Sequence, residues 1–108
     1  MADGEKILML VTTASQQEAA SIGKALVDQR LAACCSILPN IQSYYWWDGK
    51  VSEDSEVLLM IKTMKSVEEK AIDTIRGMHS YEVPEMISLP MIGGYDKYFQ
   101  WMEENIAT

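Results

Sequence analysis

The stretch Tyr44-Tyr45-Trp46-Trp47-Asp48-Gly49-Lys50 restricts the fold of this chain more than any other. Asp-Gly between two extended apolar runs marks a hairpin, because a type I′ turn needs positive φ at both central residues. Ala33 to Trp47 reads as one arm, rich in Ile, Tyr and Trp, and Val51 to Thr63 reads as the other. At roughly 3.3 Å per residue each arm reaches about 40–50 Å. A domain of this length has a radius of gyration of only about 13 Å, so the outer half must project. It carries Ile41, Tyr44, Tyr45, Trp46 and Trp47 into solvent, where bare two-stranded ribbons are marginal. The sequence therefore predicts that another subunit covers this ribbon, with Tyr45, Trp46 and Trp47 at the interface.

The 108 residues are expected to form a single domain, residues 1–108. Hydrophobic content of 48% against 23% charged places the chain among globular proteins and outside the disordered class. A net charge of −7 with no basic patch disfavours nucleic acid and anionic membrane surfaces as partners. No apolar run approaches the length of a membrane span. The start, Met1-Ala2-Asp3-Gly4-Glu5-Lys6, is polar and acidic and does not read as a signal peptide. Cys34 and Cys35 are adjacent and give no disulfide framework, so a reduced, cytoplasmic setting is the expectation.

Ile7 to Thr12 is apolar throughout, as in a strand buried on both faces. Ser15 with Glu18 forms a capping box for a helix reaching about Arg30, with Ala19, Ile22, Ala25 and Leu26 on its apolar side. Pro39 should bend or bulge the first arm of the hairpin. Ser66 and Glu69 read as a second capping box, followed by Val67, Ala71, Ile75 and Met78 at helical spacing. Val83-Pro84 ends any helix. Glu85 to Ile92 is extended, and Pro90 assigns it to an edge or a bulge. A last helix from about Asp96 carries Tyr98, Trp101, Met102 and Ile106 on one face. The order β-α-β-β-α-β plus a terminal helix is the α+β ferredoxin-like pattern. Two helices cover one face of such a sheet, so a first strand apolar on both sides again argues for an oligomer.

Arg30-Leu31-Ala32-Ala33-Cys34, Ile37-Leu38-Pro39, Tyr45-Trp46-Trp47-Asp48-Gly49-Lys50, Glu56 to Thr63 and His79-Ser80-Tyr81-Glu82-Val83-Pro84-Glu85 follow one another in order. With the terminal Tyr98…Trp101, they resemble the CutA family of divalent-cation tolerance proteins, from about Ile7 to Ile106. The resemblance implies a ferredoxin-like sandwich with a long projecting hairpin, assembled as a PII-like homotrimer by edge-to-edge strand pairing. It implies binding of divalent cations, copper above all, and no catalysed reaction or organic cofactor. It also implies that His79 is a metal ligand. Where such relatives carry a second histidine this chain has Met78, and where they carry a cysteine near the end of the first strand it has Thr12 or Thr13.

The residues themselves leave alternatives open. His79, the single histidine, is either a ligand or a helix-end residue facing the C-terminal dipole. Cys34 and Cys35 point to opposite faces of a strand and cannot easily share an ion, so core packing is the expectation for at least one. The eight methionines are scattered at core-like positions and read as packing. Glu53-Asp54-Ser55-Glu56 reads as surface charge that discourages wrong edge pairing, with Asp54 and Glu56 on one face. Lys62, Tyr81 and Glu85 would either line an inter-subunit cleft for a small anionic or zwitterionic ligand or form a structural network. An enzyme is not expected: there is no Ser-His-Asp order and no phosphate-binding glycine loop. The sequence thus leads to a homotrimeric, cytoplasmic, divalent-cation-binding protein, with a PII-like metabolite sensor as the alternative.

Overall fold

Alternation of apolar side chains builds the sheet, and helical spacing covers one side of it. The computed structural model describes residues 4–107. Met1–Asp3, the start of the polar amino-terminal stretch, and Thr108 lie outside the described residues. The elements are β1 (Lys6–Thr13), α1 (Gln16–Asp28), β2 (Cys34–Trp47), β3 (Lys50–Met64), a 3-10 turn (Lys65–Val67), α2 (Glu68–Met78), β4 (Met86–Pro90) and α3 (Asp96–Asn105). The strands form one antiparallel sheet in the order β2-β3-β1-β4. This is the expected ferredoxin-like α+β arrangement.

Met9 and Val11 of β1 and Leu59 and Ile61 of β3 point to one face and are fully buried under Ile22 and Leu26 of α1 and Ala71 and Ile75 of α2. Gly23 lets α1 approach β2 closely, since a Cβ there would lie 3.2 Å from the Cys35 Cβ. Burial on this face, and then the neighbouring Cys34, push the Cys35 thiol up to about 12. Cys35 is thus an inert packing residue. The α1 capping box forms: Glu18 N–H donates to Ser15 Oγ at 3.1 Å. The Glu18 carboxylate reaches back to the Ala14 N–H, also at 3.1 Å. The helix stops at Asp28, short of Arg30, because Arg30 takes a left-handed φ of 58°.

Two expectations need correction. The Ser66–Glu69 capping box does not form. Val67 is drawn into the core, which tightens the entry into a 3-10 turn and starts α2 at Glu68. Lys65 Nζ then pairs with Glu68 Oε1 at 2.7 Å. Met78, expected on the apolar side of α2, is the last helical residue and is exposed.

The opposite face of the sheet is apolar and mostly open. Leu8, Leu10, Leu58 and Met60 are half-buried there, while Leu38, Ile87 and Leu89 are 45–50% exposed. Among the described helices only α3 approaches it, at one end, where Lys6 pairs with Glu103 and Tyr98 lies beside Cys34. Met102 and Ile106 anchor α3, while Tyr98 and Trp101, with ring centroids 5.5 Å apart, stay partly exposed. β4 is an edge strand ending at Pro90, as expected.

The hairpin projects. β1 pairs with β3 only as far as Thr13↔Val57. Beyond that, Ile41–Trp47 and Lys50–Glu56 pair only with each other. The chain measures 44 × 25 × 22 Å as a result. Asp48 and Gly49 take φ of 53° and 75°, as a type I′ turn requires. The bend at Pro39 is a bulge. Leu38 faces Leu58 and Ile41 faces Glu56, so Pro39 and Asn40 together oppose Val57. The extra residue inverts the side-chain alternation. Cys34, Ser36 and Leu38 point to the open face before it, and Ile41, Ser43, Tyr45 and Trp47 do so after it.

Asn40 carries this inversion at a φ of 62°. Asn40→Val should lower unfolding stability by about 1–2 kcal/mol, the cost of a left-handed β-branched residue. Asn40→Gly should stay within a few tenths. Denaturant midpoints of the two variants check this, and equal midpoints would contradict the bulge geometry.

Candidate functional site

Because of that inversion, the open face continues along the ribbon as Glu56 and Asp54 of β3 beside Ser43, Tyr45 and Trp47 of β2. The segment 79–85 between α2 and β4 stands opposite, and Thr12 at the end of β1 closes the corner. Together they enclose a cleft of about 630 Å³. Asp54, Glu56, Glu82 and Glu85 line it, and no lysine or arginine does.

Glu56 is the buried member, 8% exposed, and its Oε2 accepts a 2.7 Å hydrogen bond from Tyr81 Oη. The Tyr45 hydroxyl donates to Asp54. Burial first, and then the Glu56 carboxylate, hold the Tyr81 phenol well above its ordinary range. The bond to Asp54 raises the Tyr45 phenol. Both phenols therefore remain protonated donors at neutral pH.

The wall is fixed by a second set of bonds. The His79 imidazole is fully buried. Its Nε2–H donates to the Thr12 carbonyl at 2.7 Å, and its Nδ1 accepts the Tyr81 N–H at 3.1 Å. That pairing assigns the neutral Nε2–H tautomer. A metal could reach the ring only at Nδ1, by displacing the Tyr81 N–H. Next to it, Ser80 N–H donates to Glu18 Oε2 at 2.6 Å. Glu18 thus caps α1 with one oxygen and holds the wall with the other.

The sequence-derived candidates separate in space. Tyr81 and Glu85 share the cleft with Tyr45 and Trp47, while Trp46 points to the other face of the ribbon. Lys62 is not in the cleft. It sits farther along β3, about 20 Å from Glu56 at strand spacing, with Nζ 2.8 Å from Ser36 Oγ and 3.7 Å from Cys34 Sγ. Within one chain an anionic ligand in the cleft therefore finds no counter-charge. His79 and Thr12, the positions where the resemblance expects metal donors, do meet, but through an engaged imidazole and a backbone carbonyl. Among the described residues, no three His, Cys, Asp or Glu side chains converge on one ion position.

Glu56 was legible only as surface charge. Its side shared with Asp54 follows from strand alternation, but its burial depends on a tyrosine from a distant loop. Glu18 likewise reads as a helix cap, with nothing in the sequence to signal its bond to Ser80.

Burial raises the Glu18 carboxyl, but the hydrogen bonds from Ser80 and Ala14 outweigh it and leave it below its usual 4.5. A carboxyl depressed on folding adds stability above its unfolded value, and that stability is lost as pH falls through the folded value. Glu18→Gln should therefore cost about 1–2 kcal/mol at neutral pH. The gap from the parent should close as pH falls below 4.5. Urea unfolding at a series of pH values checks this, and a gap constant with pH would contradict it.

Residues 7–105 match the family described as CutA1 divalent ion tolerance protein. The divalent-cation tolerance protein CutA of Thermus thermophilus is 42% identical over 98 residues, covering 91% of this chain and 95% of that protein. Human Protein CutA is 46% identical over 94 residues, but the match covers only 52% of its length. The chain likewise spans 54% of the chloroplastic CutA of Arabidopsis thaliana. Among solved structures, the Thermus thermophilus protein superposes with a TM-score of 0.92 at 40% identity, covering 94% of this chain and 99% of that one. CutA1 from Oryza sativa gives 0.94 at 36% identity, covering 99% and 98%. Match length, identity and the shared sheet with its projecting ribbon agree: this chain belongs to the CutA1 family of divalent-ion tolerance proteins.

Proposed function

We propose that this protein acts as a homotrimer in divalent-cation tolerance, without catalysis, and that divalent cations bind in the cleft beneath the ribbon. The observation that carries the reading is the lining of the cleft: four carboxylates with no basic side chain among them. Uncompensated carboxylates in a concave site raise the local concentration of cations. Oxygen donors suit hard divalent ions, and Cu2+ binds sites of nitrogen and oxygen donors most tightly of the first-row divalent series. Among the described residues no three His, Cys, Asp or Glu side chains meet at one point, so the ion keeps water ligands or takes a donor from a neighbouring copy.

The trimer is supported by the open apolar face and by the exposed ribbon, on which Tyr44, Trp46 and Trp47 are 67–75% exposed. Leaving such surface wet forfeits about 25 cal/mol per Å². A cytoplasmic location is supported by the free thiols of Cys34 and Cys35. Relatives named chloroplastic and periplasmic place other members elsewhere. No helix among the described residues is long and apolar enough to cross a membrane. The volume of the cleft and its aromatic lining also favour a second reading, a PII-like sensor of a small metabolite. A thermal-shift screen separates that reading from metal binding.

Light scattering should give three times the 12.2 kDa chain mass. Cu2+ titration by calorimetry should show binding that the double variant Asp54→Asn/Glu85→Gln weakens about tenfold, since affinity follows ligand charge. His79→Gln should leave it nearly unchanged. If His79→Gln abolishes binding and the double variant does not, the ring is the ligand and the cleft reading fails.

A further inference from the structure

Two charged groups stand on the open sheet face without a counter-charge in their own chain. At one end is Lys62 of β3, half-buried between Leu8 of β1 and Cys34 of β2. Its Nζ donates to Ser36 Oγ at 2.8 Å and approaches Cys34 Sγ at 3.7 Å. Among the described residues no carboxylate lies within ion-pair distance of it, and Glu103, the acid that α3 brings to this end, pairs with Lys6. At the other end is Glu56 of the same strand, 8% exposed. Tyr81 Oη gives it a hydrogen bond but no charge, and no lysine or arginine lines the cleft around it. Six positions of strand separate the two, about 20 Å, so they cannot meet within one chain. Leu58 and Met60 occupy the face between them.

The order along the face is therefore cation, apolar, anion. Covering the face with a second copy takes both charges further from water, and a charge so buried is costly unless it is paired. Both costs fall if the copies dock so that the lysine of one reaches the carboxylate of the next. Resting on the reading that this face joins copies of the chain, we infer that the assembly is held in register by an ion pair between Lys62 of one copy and Glu56 of the next, with Tyr81 positioning the carboxylate. Complementary charge selects a second copy as the occupant. The contact is head-to-tail: each copy offers its lysine to one neighbour and its carboxylate to the other, and contacts of this kind close as a ring. A shifted register would set Lys62 against apolar side chains, so the pair also rejects wrong docking. It engages Glu56 alone and leaves Asp54, Glu82 and Glu85 to the cation site.

The test is a double-mutant cycle on the whole protein with Lys62→Met and Glu56→Gln, which keep the shape of each side chain and leave Tyr81 an acceptor. The readout is the urea midpoint of dissociation by light scattering, at one protein concentration. The two positions are too far apart in one chain to couple, so coupling between them arises only between copies. Each single variant should lower the midpoint, because it leaves the other charge buried and unpaired. The double variant should sit no lower than the lower of the two singles. Asp54→Asn, a cleft carboxylate outside the pair, should instead add its effect to that of Lys62→Met. Losses that add in the Lys62→Met/Glu56→Gln variant, or single variants with the parent's midpoint, overturn the ion pair and leave the oligomer in place. A parent with the mass of one chain in buffer overturns the interface reading, and the ion pair with it.

Discussion

The ladder between β2 and β3 is the interaction on which the rest of the structure depends. Its inner half, Cys34–Leu38 against Leu58–Lys62, is part of the sheet that the helices cover. Its outer half, Ile41–Trp47 against Lys50–Glu56, has no third strand. The same two strands thus supply Leu59 and Ile61 to the core and Glu56 and Asp54 to the cleft. The joint between the halves is the two-for-one bulge, with Asn40 held at positive φ. One inserted residue decides which aromatics face the carboxylates and which face away.

A second constraint comes from helix count. α1 and α2 cover one face, and α3 reaches only one end of the other. The apolar residues Leu8, Leu10, Leu58 and Met60 are too regular to be scattered surface, so the face is built to be covered. The proposed trimer follows from this sheet, and the proposed cation site follows from where the sheet turns into ribbon. The His79–Tyr81 segment joins the two, tied to β1 through the Thr12 carbonyl and to α1 through Glu18.

Most of the fold was legible because it rests on local signals. Asp48-Gly49 set the turn, Pro39 the bulge, Ser15 and Glu18 the first cap, and the continuous apolar run Ile7–Thr12 the central strand. The failures were tertiary. Ser66 lost its capping role because burial of Val67 mattered more than an exposed hydrogen bond worth about 1 kcal/mol. Of the residues around the cleft, Tyr81 and Glu85 were named from the sequence; Lys62, named with them for a cleft between subunits, lies on another part of the sheet within one chain. Glu56 was read as surface because its cover arrives from twenty-five positions along the chain. Motif proximity in sequence carried no information about which of these side chains share a cavity.

The central claim is that the second sheet face is an interface between copies of this chain. The most direct measurement places a charge in its middle. Met60 sits between Leu10 and Ser36 on that face, outside the helix-covered core. Met60→Lys should lose the oligomer by light scattering, with a far-ultraviolet circular dichroism spectrum that still reports a folded sheet. A Met60→Lys protein with the mass and thermal midpoint of the parent would contradict it.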